Sequence, residues 1–377
     1  MSYCIGLMSG TSLDGVDGAL LAFDENTPGG MRVVASCGQE LPRQLRAALY
    51  DLNQPGTNEL HRAALATHEL VQVYAQVSLQ LVHQAGIPKS QIAAIGAHGQ
   101  TVRHQPPSPY LKHPPYTLQL NNPALLAELT GIPVVADFRT ADVAAGGQGA
   151  PLVPAFHHAV FGKTGASVAV VNIGGIANVS ALCASGKVFG FDTGPGNALM
   201  DSWCQQHTGQ TYDANGSWAA QGSSSAGLLN RMLAEPYFAQ PGIKSTGRDL
   251  FHTAWLMRML DQQGAPIRPQ DVQATLLELT AISIANGIEQ AFVGETAAQT
   301  VLLCGGGAKN GALVLALQNA LQGKHVTPTS ELGWPVDLVE AAAFAWLTHQ
   351  HLVGLPGNLP AVTGAHRPKV LGGYYPA

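Results

Sequence analysis

Two stretches of this chain share one pattern, an apolar strand, a glycine-centred polar turn and a second apolar strand. The first is "YCIGLMSGTSLDGVDGALLAF" at residues 3–23, and the second is "SVAVVNIGGIANVSAL" at residues 167–182. A two-stranded hairpin is marginal in water by itself, so each must be completed by further strands and packed helices. Strand and helix patterns do follow each of them, which makes the chain look internally duplicated. A third glycine turn, "TVLLCGGGAKNGALVLAL" at residues 300–317, joins a buried strand to a helix. Alternating strands and helices predict an α/β fold. The expected boundary lies near Ser167, giving an N-terminal half at 1–166 and a C-terminal half at 167–377. The last apolar helix, residues 336–352, is expected to pack back on the first half.

Between these landmarks the pattern predicts a long amphipathic helix over 61–85 closed by Gly86. A buried strand in "QIAAIGAHGQT" follows, then a proline-rich surface loop at 105–115. A helix capped at Asn121 or Asn122 and a buried strand in "IPVVADF" come next.

The chain has 377 residues, 46% apolar and only 11% charged, enough for substantial cores. A net charge of -5 argues against nucleic acid or an anionic membrane as partner, but not against a small anion bound with a metal ion. No apolar run is long enough to cross a bilayer, and the first residues lack a secretory pattern. Five scattered cysteines without a CxxC pair indicate neither a disulfide framework nor a zinc site. A reducing cytoplasm is the expected location.

The glycine turns are where a ligand would sit. Backbone N–H groups at such turns can converge on phosphate oxygens. In the first, Ser9, Thr11 and Ser12 add hydroxyls, while Asp14 and Asp17 could order water around Mg²⁺. The turn has no lysine and is not a P-loop. The second offers Asn172, Gly174, Gly175 and Asn178; the third, at Gly305, Gly306 and Gly307, leaves room for a flat ring such as adenosine. An ordinary turn accounts for any one of them. Three, each after an apolar strand, point to a crevice at the carboxyl ends of strands.

In "KVFGFDTGPGNALMDSW", Asp192 ends an apolar strand just before a glycine loop and a helix. It either accepts a proton from a bound hydroxyl or water, or caps the helix, a task that Thr193 or Asn197 would fill equally well. His98, Gln100, Thr101, Asp137 and Arg139 also stand where buried strands end. An arginine there suits a substrate carboxylate. Glu340, inside an apolar helix, must bind a ligand or pair with a base.

The blocks "GLMSGTSLDGVD", "AIGAHGQT", "NNPALLAELTGI", "VVADFRTADVAAGGQGAPLVP", "NIGGIANVS", "FDTGPGNALMD", "KSTGRD" and "CGGGAKN" occur in that order over essentially the whole chain. In this set the chain resembles the anhydro-N-acetylmuramic acid kinases. The resemblance implies a two-domain actin-like ATPase fold with an inter-domain nucleotide cleft. It implies that Gly10, Thr11, Ser12, Leu13, Asp14, Gly15, Val16 and Asp17 form the ATP phosphate loop, with Asn172, Gly174 and Gly175 as the counterpart. Gly305, Gly306, Gly307 and Asn310 would take the adenosine, and Asp14 would hold Mg²⁺ through water. The implied reaction phosphorylates the 6-oxygen of 1,6-anhydro-N-acetylmuramic acid while water opens the anhydro bridge, giving N-acetylmuramic acid 6-phosphate for cell-wall recycling. Asp192 would be the base, and Thr101, Arg139 and Glu340 would touch the sugar. A homodimer is implied by the same analogy. Two alternatives are an ordinary amino-sugar hydroxyl kinase and an actin-like ATPase that drives partner binding.

Overall fold

The computed structural model describes residues 2–10, 13–24, 30–108, 112–163, 165–242, 244–247, 250–262, 264 and 266–377. The chain opens with β1 (Ser2–Met8), β2 (Gly15–Phe23), β3 (Met31–Glu40), α1 (Arg43–Asp51) and α2 (Glu59–Ala85). Next come β4 (Ile92–Ala97), β5 (Gln100–Gln105), β6 (Tyr116–Leu120), α3 (Pro123–Thr130), β7 (Val134–Ala136), α4 (Thr140–Ala144) and α5 (Val153–Phe161). The middle of the chain holds β8 (Val168–Ile173), β9 (Ile176–Leu182), β10 (Val188–Pro195), α6 (Ala198–Thr208), α7 (Ala226–Leu233), α8 (Pro236–Ala239), α9 (Thr253–Asp261) and α10 (Pro269–Ala291). It closes with β11 (Thr300–Cys304), α11 (Gly311–Ala320), β12 (His325–Pro328), α12 (Val339–Leu352), α13 (Pro360–Thr363) and β13 (Gly373–Tyr375).

Two compact units result, one of residues 1–160 with 338–377 and one of residues 161–337. The first contains a six-stranded sheet in the order β13-β7-β4-β1-β2-β3, and the second a five-stranded sheet in the order β10-β9-β8-β11-β12. Within the first, β1, β2 and β3 are antiparallel neighbours, and β4 and β7 then add in parallel. Within the second, β8, β9 and β10 repeat the antiparallel run, and β11 and β12 again add in parallel. The duplicated sheet-and-helix core expected from the two hairpins is therefore present. Residues 353–377, expected with the second half, cluster with the first unit instead. The reason is pairing: β13 adds antiparallel to β7 at the sheet edge, and Asn358 and Thr363 bond to Asp142.

In the first unit the sheet is covered on both faces. α2 places Leu70, Tyr74, Val77 and Leu81 on one buried stripe, at the 4-3-4 spacing of a helix face. It begins at Asn58 and ends at Gly86, whose φ of 63° is the left-handed cap conformation glycine adopts without strain. α12 covers the opposite face and is buried nearly all round along Ala341–Leu347, which explains the apolar sequence of that stretch. Its approach depends on two glycines paired across β1 and β4, Gly6 and Gly96. A Cβ on Gly6 would stand 2.0 Å from the carbonyl oxygen of Ala341, and one on Gly96 would stand 1.9 Å from the Thr348 hydroxyl. The proline-rich segment hides an element the sequence reading missed: β5 and β6 pair around it as a two-stranded ribbon.

α5 carries a fully buried histidine, His157, beside the Phe156–Trp346 ring pair. Burial pulls its pKa down to about 3. Above pH ~6.5 the imidazole is neutral in both folded and unfolded chains. As pH falls below that, the unfolded chain takes up a proton that the folded chain refuses, so each pH unit costs about 1.4 kcal/mol of stability. Denaturant melts at pH 7.5 and 5.5 should therefore show a smaller acid loss in His157→Gln than in the wild type, by about 1.4 kcal/mol.

Candidate active site

In the first unit, Ser9 and Gly10 follow β1, and Leu13 and Asp14 lead into β2. Ser9 is buried, and its hydroxyl bonds to the Tyr74 hydroxyl at 2.9 Å and donates to the Gly99 carbonyl at 3.2 Å. It braces the turn from inside, so its expected part as a ligand donor is corrected. Gln100 donates through Nε2 to the Gly10 carbonyl at 3.2 Å. Leu13 is buried at φ 60°, and its N–H donates to Gly10 O at 3.2 Å. Arg46, from α1, fastens the far side: Nε donates to Leu13 O at 2.7 Å, and Nη2 to Asp14 O at 3.2 Å and Oδ1 at 3.3 Å. Asp14 is exposed and Val16 is buried. Gly15, Val16 and Asp17 enter the β2–β3 ladder opposite Glu40, Gln39 and Gly38. Thr11 and Ser12 lie outside the described residues.

A second polar group in this unit gathers around Arg139. Its Nε donates to His98 Nε2 at 2.9 Å and its Nη1 to Gly149 O at 2.7 Å. Burial lowers the guanidinium pKa to about 10, opposed by the Glu340 and Asp142 carboxylates. The group stays cationic at neutral pH. Burial, helped by the Arg139 charge, holds His98 well below its usual range, so the imidazole is a neutral acceptor. Glu340 lies in the first turn of α12. Burial raises its pKa, the Arg139 charge opposes that, and Asp17 adds to it. Glu340, half-buried, is thus in electrostatic contact with a base, Arg139, as an acid within an apolar helix would be expected to be. Thr101 lies on β5, just after His98, and its hydroxyl accepts from Gln119 Nε2 at 3.2 Å. Asp137 has a local role: its Oδ1 accepts from the Thr140 N–H at 3.2 Å at the start of α4.

Asp142, which the sequence reading passed over, is completely buried. Its Oδ2 accepts from Gly149 N at 2.7 Å, and its Oδ1 from Asn358 Nδ2 at 2.6 Å and Thr363 Oγ1 at 2.7 Å. One carboxylate therefore fixes the loop whose carbonyl holds Arg139.

In the second unit the two remaining glycine turns meet at one residue. Asn197 Nδ2 donates to Ile173 O at 3.2 Å, and Asn197 N donates to Gly174 O at 2.8 Å. The Asn197 side chain also borders Gly306 and Gly307, where an added Cβ would stand 3.8 Å and 3.1 Å from it. Gly305, at φ 79°, packs against Asn172: a Cβ there would lie 2.4 Å from Asn172 Oδ1. Asn310 caps α11, its Oδ1 accepting from Leu313 N at 3.1 Å.

Asp192 stands on edge strand β10 next to a bulge, where the register with β9 shifts between Asp192 and Gly194. Bulges re-aim side chains. Its Oδ2 accepts from Ser245 Oγ at 2.9 Å and Thr246 N at 3.0 Å. Asn197 is the residue at the N-terminus of α6, so the capping reading of Asp192 is set aside. Burial raises the Asp192 pKa, and the hydrogen bonds from Thr246 and Ser245 oppose the rise. Arg46, Ser245 and Thr246 had no sequence signal for these contacts; each partner is more than thirty positions away. Of "KSTGRD", Arg248 and Asp249 lie outside the described residues. Among the described residues, no group of three or more His, Cys, Asp or Glu could hold a metal ion, and no helix is long and apolar enough to cross a membrane.

The family described as anhydro-N-acetylmuramic acid kinase matches residues 2–377. The anhydro-N-acetylmuramic acid kinase of Bordetella avium is 54% identical over 99% of this chain and 96% of that protein. That of Nitrosomonas europaea is 50% identical over the full length of both. Among solved structures, component A of (R)-2-hydroxyglutaryl-CoA dehydratase from Acidaminococcus fermentans is similar at 11% identity, with a TM-score of 0.47 over 90% of this chain and 96% of that one.

Proposed function

The chain belongs to the anhydro-N-acetylmuramic acid kinase family, and from that premise we propose that it is the kinase that opens 1,6-anhydro-N-acetylmuramic acid with water and phosphorylates its 6-oxygen from ATP. The product is N-acetylmuramic acid 6-phosphate, an amino sugar of cell-wall recycling. The observation that carries this reading is the family match over residues 2–377.

Asp192 is the base. It takes a proton from water as the water oxygen bonds to the anomeric carbon; the bridging bond breaks, its electron pair passes to the 6-oxygen, and that oxygen attacks the γ-phosphorus as ADP departs. The turn at 10–17, with Asn172, Gly174 and Gly175, serves the phosphates, and Gly305, Gly306, Gly307 and Asn310 serve the adenosine. Arg139 offers a cation to the lactyl carboxylate, its Nε and Nη1 already oriented by His98 and Gly149. Glu340 and Thr101 complete the sugar contacts.

The exposed Asp14 carboxylate, held at one oxygen by Arg46, fits an ion that keeps its waters, as Mg²⁺ does. Asp14 would hold that ion through water, and bound Mg²⁺ supplies charge neutralisation at the phosphates. The two compact units correspond, on this reading, to the two domains of the fold. A cytoplasmic homodimer goes with the same reading.

A mass spectrum of the product formed from ATP and the anhydro sugar in ¹⁸O-water tests it. Gain of one phosphate and one water, with label at the anomeric carbon, is expected. Phosphate gain without label would identify an ordinary hydroxyl kinase, and ATP hydrolysis without any sugar requirement would exclude sugar chemistry.

A further inference from the structure

The Asp192 carboxylate is held unevenly. Oδ2 accepts both the Ser245 hydroxyl and the Thr246 N–H, whereas Oδ1 accepts no hydrogen bond among the described residues. Both donors belong to one short segment, and that segment is anchored at Lys244, the residue just before them. The backbone N–H of Asp192 donates to Lys244 O at 3.0 Å. The buried Lys244 ammonium donates to the carbonyls of Tyr237, Phe238 and Gln240 at 3.2–3.3 Å and to Gln290 Oε1 at 3.3 Å. All four acceptors are neutral, and the ammonium also lies 5.0 Å from the Tyr237 ring centre. Tyr237 in turn donates its hydroxyl to the Asp192 carbonyl at 2.5 Å. A lysine buried on neutral carbonyls is a costly way to tie α8 to a loop. Here the tie sets the height of two donors against one carboxylate oxygen.

We infer that residues 244–246 are a positioning clamp that makes Oδ1 of Asp192 the oxygen receiving the water proton. The inference rests on the reading of Asp192 as the base. Two donors on Oδ2 fix the rotation of the carboxylate and draw charge towards that oxygen, leaving the Oδ1 lone pairs aimed along one direction. The proton leaving water ends on Oδ1, and Oδ2 keeps its two hydrogen bonds throughout. Lys244 acts through the backbone it anchors, and Ser245 acts through Asp192; neither needs to touch the sugar.

The test is a KM-against-kcat comparison of Ser245→Ala and Ser245→Thr, with Asp192→Asn alongside. Ser245 is exposed, so its removal leaves the core intact. Ser245→Ala loses one of the two fixing bonds, and kcat should fall about 10- to 100-fold through lost alignment while KM for sugar and for ATP stays put. Ser245→Thr keeps a hydroxyl and should recover most of that kcat. Wild-type kcat in Ser245→Ala overturns the clamp, as does a raised KM for the sugar at unchanged kcat, which would make Ser245 a substrate contact. Failure of Ser245→Thr to recover also overturns it. The underlying reading fails separately: it falls if Asp192→Asn keeps turnover. An inactive Asp192→Asn beside a fully active Ser245→Ala removes the clamp alone.

Discussion

Asp192→Asn, which removes the proposed base, should lower kcat by about a hundred- to ten-thousandfold while leaving nucleotide affinity close to that of the wild type. The amide oxygen of asparagine can still accept the Ser245 and Thr246 hydrogen bonds that the carboxylate accepts now, so the loop keeps its anchor. What disappears is the ability to bind a proton. Water is a poor nucleophile towards a sugar acetal, and a positioned base contributes a large share of the barrier reduction. As the proposed base, the same residue should set the acid side of the pH profile. Burial raises its pKa, so the folded carboxylate begins to take up protons above the ordinary aspartate range. Below that point the base is neutralised, and kcat/KM should fall with falling pH in the wild type. Titration calorimetry with a non-hydrolysable nucleotide and a steady-state pH series measure the two effects. Turnover near wild type in Asp192→Asn would remove the residue from the reaction.

Asp142→Ala should cost at least about 3 kcal/mol of stability and weaken sugar binding with it. Three donors from separate places in the chain, Gly149 N, Asn358 Nδ2 and Thr363 Oγ1, end on this one buried carboxylate. Alanine removes every acceptor at once and leaves the donors unpaired in a fully buried site, where hydrogen bonds to a charged group are worth most. Gly149 also supplies the carbonyl that holds Arg139, so loosening it frees the guanidinium to swing. Urea unfolding gives the stability term, and KM for the anhydro sugar gives the second. A variant with wild-type midpoint and KM would show that the network is redundant.

Much of this architecture was legible from sequence for local reasons. Apolar runs broken by glycine turns have few ways to fold, and repeating that pattern marked both sheets. The helical spacing of apolar residues before Gly86, Gly86 itself and the asparagine pair 121–122 are short-range signals, and the helices they mark are present, the second capped by Asn122. The second and third glycine turns, each after an apolar strand, both border Asn197. Ser9 was misread because a hydroxyl in a polar turn has the same sequence signature whether it points to solvent or to a buried tyrosine. The proline-rich segment concealed β5 and β6 because a ribbon of two short strands carries little periodicity. Residues 353–377 were placed with the wrong half because a three-residue edge strand such as β13 is recognised only by its partner.

The amino-acid sequence alone determined the class of the fold, the duplication within it and the family to which the chain belongs, since all three are written in ordered local patterns. Tertiary structure decided the rest: which carboxylate is buried and fully satisfied, which oxygen of Asp192 is held, and which arginine orients which loop. Those outcomes depend on hydrogen bonds between positions as far apart as Asp142 and Thr363. A pairing of that kind exists only after the sheets have assembled, because the packed core alone brings such donors and acceptors together and withholds water from them.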